Sequence, residues 1–364
     1  MIEYRVGDDG IERPRYRPLA VFLLYLCVAA YTVAVGFFGK LSILPILLLP
    51  LCAVGTVCAV FMCRPRALYG VLPILSVLGA FGIMIGRHLP VEQALCGALF
   101  AADFFLLGFL IAFCIKKKLT MAATVGWGVL FLVVDFLLYV MAVAAFDGYG
   151  FGFTAAADWY LTGMKEFGEM LRKAWQMMFS EETFRELLQQ MEVSAEEFLT
   201  VQMEAYEAII PLVPAFCGAI LLALVLFSVW FAYRLLKCIP MYRRVLGGKD
   251  LVLHPIWGGA YLILWSFQFL VPSDTPFGIG WASLYTVLMP LLAYVGLMTL
   301  FGQLRDGFGR LRVFVLVTLI LVGVSVLTVT WFFGVALPIL AVLGGWMTIL
   351  RWVRERKMNH TDRP

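Results

Sequence analysis

Long apolar runs follow one another from Pro18 to Trp352, and the breaks between them carry either a cluster of Arg and Lys or almost none. A hydrocarbon core about 30 Å thick takes roughly 20 apolar residues per helical span. Runs of that length, in a chain of 364 residues that is 62% hydrophobic and 14% charged, exclude a soluble domain. They predict an all-α, polytopic transmembrane helix bundle whose first partner is the lipid bilayer. The formal charge of +4 is then no sign of nucleic-acid binding. It reflects Arg and Lys placed at membrane edges, where they snorkel and set orientation.

The pattern predicts ten helices near residues 18–37, 41–63, 67–86, 92–115, 119–146, 208–237, 255–272, 279–302, 313–332 and 335–352. The weakest boundary is in the stretch 313–350, where Phe333, Gly334 and Pro338 mark the turn. Alternate ends gather 22 of the 28 Arg and Lys on one side, in the groups around Arg15, Arg64, Lys117, Arg244, Arg310 and Arg354. Lys40, Arg87, Lys165, Arg172, Lys173 and Arg185 remain on the other. The positive-inside rule places both termini in the cytoplasm. The chain divides into a cytoplasmic tail (1–17), five spans (18–146), an extracytoplasmic helical insertion (147–207), five further spans (208–352) and a basic cytoplasmic tail (353–364). The polar first seventeen residues and the long first apolar run predict no cleaved signal peptide.

Eight cysteines lie in or beside apolar runs without a CxxC pair and read as small buried hydrophobes. Pro45, Pro50, Pro73, Pro211, Pro214, Pro290 and Pro338 are expected to interrupt helical hydrogen bonding. Ala30 with Ala34 and Gly82 with Gly86 have the small-residue spacing that lets membrane helices approach closely; ordinary packing accounts for it as well.

The insertion holds twelve acidic and four basic residues. Tyr160, Met164, Phe167, Leu171, Trp175 and Met178 define the apolar face of a first amphipathic helix. A second begins at Ser180 and carries Phe184, Leu187, Leu188 and Met191. A third opens with Ser194 and Glu197 in capping-box spacing, with Val193 placed to staple onto Phe198, and runs into the sixth span. Burial of these faces predicts an ordered cap on the outer mouth.

Two carboxylates sit where the bilayer makes charge expensive, Asp103 in the fourth span and Asp135 in the fifth. Counted from Lys116 and Lys118 at 1.5 Å per residue, their depths differ by only about 6 Å. They form a candidate intramembrane polar site for a cation, a proton, or a cationic or hydroxylated substrate. The alternative is structural, a protonated Asp bonded to a neighbouring helix. Arg87, His88 and Glu92 form a candidate outer entrance, with interfacial anchoring as the other reading. His254 has no second ligand at metal spacing. Asp147 to Phe153 (DGYGFGF) has the glycines of a phosphate loop but no Rossmann context, and Gly247–Lys249 lacks the remainder of a P-loop. Without HExxH, GxSxG or another nucleophile constellation, the expectation is a protein that is not an enzyme, with no catalytic residues, metal or cofactor.

The order of elements resembles the YybS-like family of bacterial multi-pass proteins. The likeness lies in five N-terminal spans, an outer helical insertion, a sixth span entered through prolines (IIPLVPAF, from Ile209) and a C-terminal pair ending in AVLGGWMTILRWVRERK, from Ala341. Trp346, Met347 and Thr348 stand where members often carry an acidic residue, so no site is transferred. That family is distantly similar to the substrate-binding subunits of energy-coupling-factor importers. The resemblance implies a bacterial plasma-membrane protein that binds or takes up a small molecule and partners separate membrane or ATPase subunits. It makes Ala30 and Ala34 a candidate partner-docking face. A scaffold or regulator of a cell-envelope assembly is the competing reading.

Overall fold

The computed structural model describes residues 4–6, 12–14, 18–39, 42–62, 70–179, 194–237, 251, 253–268, 270–272, 275–308 and 337–361. A short antiparallel hairpin, β1 (Tyr4–Val6) and β2 (Glu12–Pro14), precedes the helices and pairs Arg5 with Arg13. The helices are α1 (Pro18–Phe38), α2 (Ile43–Met62), α3 (Leu72–Gly86), α4 (Val91–Leu99), α5 (Asp103–Lys116) and α6 (Met121–Phe146). They continue as α7 (Phe153–Met178), α8 (Ala195–Ile209), α9 (Val213–Lys237), α10 (Pro255–Phe267), α11 (Pro276–Phe308) and α12 (Leu337–Thr361).

Among the described residues six stretches are long and apolar enough to cross a membrane: Leu44–Phe61, Val91–Lys116, Met121–Phe146, Ala195–Leu236, Pro276–Leu300 and Leu337–Arg354. Shorter apolar helices cover Leu24–Phe38 and Leu72–Gly86. The 13 residues of α10 reach only about 20 Å at 1.5 Å per residue. The expected span at 313–332, its turn at Phe333 and Gly334, the second insertion helix and Val193 lie outside the described residues.

Among the described residues two apolar cores organise the bundle. The larger joins α1 to α6 with α9 around Tyr31, Val57, Phe104, Leu107, Ile111 and Leu236. The smaller joins α10, α11 and α12 around Tyr261, Leu292 and Ala341, and α9 links the two by packing on α11. Phe22, Leu47, Leu78 and Trp127 face outward. Helices apolar inside and out belong in a solvent of lipid.

Glycine sets the closest helix contacts in the smaller core. A Cβ on Gly296 would collide with the Leu340 carbonyl, and one on Gly344 with the Leu292 carbonyl. The adjacent Gly345 serves the other neighbour: a Cβ on Gly258 would lie 2.5 Å from the Gly345 carbonyl oxygen. The pair Gly344–Gly345 therefore lets one helix meet two others at backbone distance. Gly82 and Gly86 behave differently from the close-approach role expected of them, since a Cβ at either meets nothing within 4 Å. On the α1–α3 contact Gly36 and Gly79 do that work, against Ile83 and Thr32.

The prolines are also less disruptive than their number implies. Pro50 in α2 and Pro290 in α11 lie inside helices. Pro73 lies at the start of α3, where the missing N–H has no helical partner to lose. Pro45 and Pro338 likewise fall in the first turns of α2 and α12, whereas Pro211 lies in and Pro214 just past the 3₁₀ turn Ile210–Leu212 inside the continuous stretch Ala195–Leu236, an interruption of the expected kind.

Within the insertion, α6 ends at Gly148 (φ 87°), whose left-handed conformation suits glycine, with Tyr149 N–H bonded to the Ala144 carbonyl at 2.9 Å. Helices α7 and α8 pack together. The Tyr206 hydroxyl donates to the Met164 carbonyl at 2.5 Å, and a Cβ on Gly168 would lie 2.8 Å from the Tyr206 ring. Trp175 meets Phe198 edge-on at 5.4 Å. Ser194 accepts from Glu197 N–H at 3.1 Å, forming the expected N-cap, and α8 passes through Ile210–Leu212 into α9. Tyr160 donates to the Ile210 carbonyl at that turn, 2.6 Å away. Burial, then the neighbouring Cys217 and Tyr206, push the Tyr160 phenol above its ordinary range and keep it a donor. Among the described residues α7 packs mainly against α6 and α8, with Phe167 51%, Met170 66% and Met177 67% exposed.

Candidate functional site

The fourth apolar stretch is broken. Helix α4 passes into a 3₁₀ turn, Phe100–Ala102, and α5 restarts at Asp103. A 3₁₀ turn inside a membrane helix weakens backbone bonding locally, so its carbonyls need other donors. Ser76 on α3 supplies one, donating to the Ala101 carbonyl at 2.8 Å. The Ser76 hydroxyl also lies 2.7 Å from that of Thr32 on α1, which is 2.8 Å from the Val28 carbonyl; with one proton each, the two hydroxyls satisfy two of these three contacts at a time. Both hydroxyl residues are buried. Three helices are thus tied together at the level of the break.

Asp103 is 2% exposed beside this polar chain. The next residue, Phe104, stands edge-on to Tyr31, with centroids 5.4 Å apart at 72°. Tyr31 precedes Thr32 on α1 and is 1% exposed; its hydroxyl has no hydrogen-bond partner among the described residues. Asp135 is half-buried on α6. One turn later Tyr139 meets Phe100 of the break edge-on at 5.0 Å, and residues four apart share a helix face, so Asp135 is turned toward the same region. Tyr31 through Phe104, and the Asp135 helix through Tyr139 and Phe100, are thus packed about the break at which Asp103 stands. The arrangement brings two acids and a phenol to one region of the bundle. It can hold a proton, coordinate a small cation or bind an ammonium or hydroxyl group.

Sequence reasoning missed Tyr31, Thr32 and Ser76. Their signal is weak, because single hydroxyls are common in membrane helices. Only their placement around Asp103 distinguishes them.

The other expected groups are placed differently. Arg87 donates through one guanidinium nitrogen to the Gly36 carbonyl at 3.2 Å and to the Phe37 carbonyl, closing the C-terminus of α1. His88 ends α3 in a left-handed conformation, φ 61°, with Leu89 N–H bonded to the Met84 carbonyl at 3.2 Å. Glu92 lies in the first turn of α4, where a carboxylate complements the helix dipole. All three are exposed and two of them complete helix ends. Ala30 is exposed, whereas Ala34 is 1% exposed, so the pair does not present one open face. His254 caps α10 by accepting from Ile256 N–H at 3.4 Å. Among the described residues no group of three or more His, Cys, Asp or Glu is placed to hold a metal ion. No protein-family model, curated protein or solved structure matches this chain.

Proposed function

We propose that this chain is a small-molecule binding or uptake component of a bacterial plasma membrane, working without its own ATPase. In this reading it has ten spans, both termini in the cytoplasm and residues 147–207 outside. The likeness to the YybS-like family and, through it, to the substrate-binding subunits of energy-coupling-factor importers supports the reading. Separate membrane or ATPase subunits are the partners it implies.

The observation that carries the proposal is the buried Asp103 at a helix break, grouped with the Tyr31 hydroxyl. An ionisable group at mid-span costs about 2.5 to 3.5 kcal/mol on insertion scales. A buried hydroxyl left without a partner costs about 1 to 3 kcal/mol more. Apolar residues fill a purely structural position without either cost, whereas a cationic or hydroxylated ligand engages the phenol and the carboxyls together. Small molecules extracted from purified wild-type protein and from Asp103→Asn, compared by mass spectrometry, test the idea. A species enriched in wild type and depleted in the variant supports it.

A scaffold or regulator of a cell-envelope assembly is the second reading, favoured by the apolar face that α7 leaves exposed at Phe167, Met170 and Met177. Extracts identical for wild type and variant would put that reading ahead.

A further inference from the structure

The glycine-rich run from Asp147 to Phe153 joins α6 to α7 and takes no part in the candidate site. Gly148, Gly150 and Gly152 have φ of 87°, 91° and 157°, and a Cβ on any of them meets nothing within 4 Å. Space therefore does not call for glycine at these positions; the backbone conformation does. The turns so formed hold three aromatic side chains in the open. Phe151 is 68% and Phe153 70% exposed, and Tyr149 is exposed beside them. Asp147, the one charged residue of the run, accepts a hydrogen bond from the Trp159 indole of α7 at 2.6 Å. No Lys or Arg stands between Lys118 and Lys165.

The length of α6 sets the depth of these rings. Its 26 residues reach about 39 Å at 1.5 Å each. That exceeds a hydrocarbon core of about 30 Å and falls just within the roughly 40–45 Å that includes both headgroup layers. The outward face of α6 runs through Trp127, Leu130, Val134 and Leu138, so the aromatic loop continues an apolar surface that belongs in lipid.

We propose that Tyr149, Phe151 and Phe153 insert into the boundary between headgroups and acyl chains, in the leaflet at the end of α6 away from Lys116–Lys118, and that the loop anchors α7 there. Clustered aromatic rings left in water are an aggregation hazard. At the interface their apolar bodies are covered, and a tyrosine hydroxyl still reaches headgroups or water. Continuity with the lipid-facing side of α6, together with the lack of basic residues in the loop, favours a bilayer held by apolar contact over a charged protein partner. Neither the side of the membrane nor the transport reading enters the proposal.

The test uses the full-length protein in phosphatidylcholine nanodiscs, with a photoreactive aromatic residue introduced as Phe151→p-benzoylphenylalanine or Phe153→p-benzoylphenylalanine. Leu130 on α6 is replaced in the same way as a lipid-facing reference, and the exposed Glu169 on α7 as a reference in water. Covalent lipid adducts are counted by mass spectrometry of the intact chain after illumination. Both loop positions are expected to form adducts at a yield close to that of Leu130 and at least about fivefold above that of Glu169. The two positions are made separately, so that if one variant is not monodisperse the other decides. A yield at the Glu169 level in a monodisperse loop variant overturns the proposal. So do crosslinks that join two protein chains in place of lipid, which would assign the aromatic loop to a contact between copies.

Discussion

Ser76 on α3 donates to the carbonyl of Ala101, 25 residues away, at the point where the fourth apolar stretch breaks and Asp103 begins a new helix. The bond joins two features that are separate in the sequence, a hydroxyl in one apolar run and a carboxylate in the next. Ser76→Ala leaves that carbonyl without its side-chain donor. The expected loss is about 1 to 3 kcal/mol, read as a lower melting temperature and faster hydrogen exchange around 99–103. Ser76→Thr, which retains the hydroxyl, is expected to lose less.

Asp103→Asn and Asp135→Asn keep side-chain size and remove charge. Both variants are expected to remain monodisperse and to retain the small molecule at least about tenfold less well, since a hydrogen bond to a charged group contributes about 1.5 to 3 kcal/mol. Retention is measured on extracts of each purified variant. Retention unchanged in both would assign the acids a structural role.

Gly344→Ala and Gly296→Ala each push a methyl group into a facing carbonyl. Overpacking of this kind costs about 1 to 3 kcal/mol, and at backbone contacts with little room to yield the upper part of that range is expected. Gly82→Ala should be neutral or stabilising by about 0.5 to 1 kcal/mol, because its Cβ meets nothing and alanine is the better helix former. Melting temperatures of the three variants check the contrast.

His88 and Lys118 hold left-handed conformations at the ends of α3 and α5, with φ of 61° and 59°. Glycine relieves strain there, so His88→Gly and Lys118→Gly are each expected to stabilise by about 1 kcal/mol. A melting temperature that falls in either variant would mean that the side chain contributes more than its backbone conformation costs.

The apolar helices were legible because hydropathy over some 20 residues is a property of the run itself. The N-cap at Ser194 and the continuity of α8 with α9 were legible for a similar reason, since capping is local. What the sequence concealed depends on contacts between distant residues. Arg87 serves α1 from 50 residues away, and nothing beside it in the chain announces that role. Gly82 and Gly36 are the same residue type in similar runs, yet only Gly36 faces a neighbouring helix. The helix break at Phe100–Ala102 contains neither proline nor glycine, and so it carries no local signal.

The central claim is that Tyr31, Asp103 and Asp135 form a binding site, and a high-resolution experimental structure of the protein with its copurified small molecule tests it most directly. The account predicts a ligand oxygen or nitrogen about 2.6 to 3.2 Å from the Tyr31 hydroxyl, with the Asp103 carboxyl in reach of the same molecule. A ligand bound elsewhere, with the Tyr31 hydroxyl satisfied by protein alone, would contradict it.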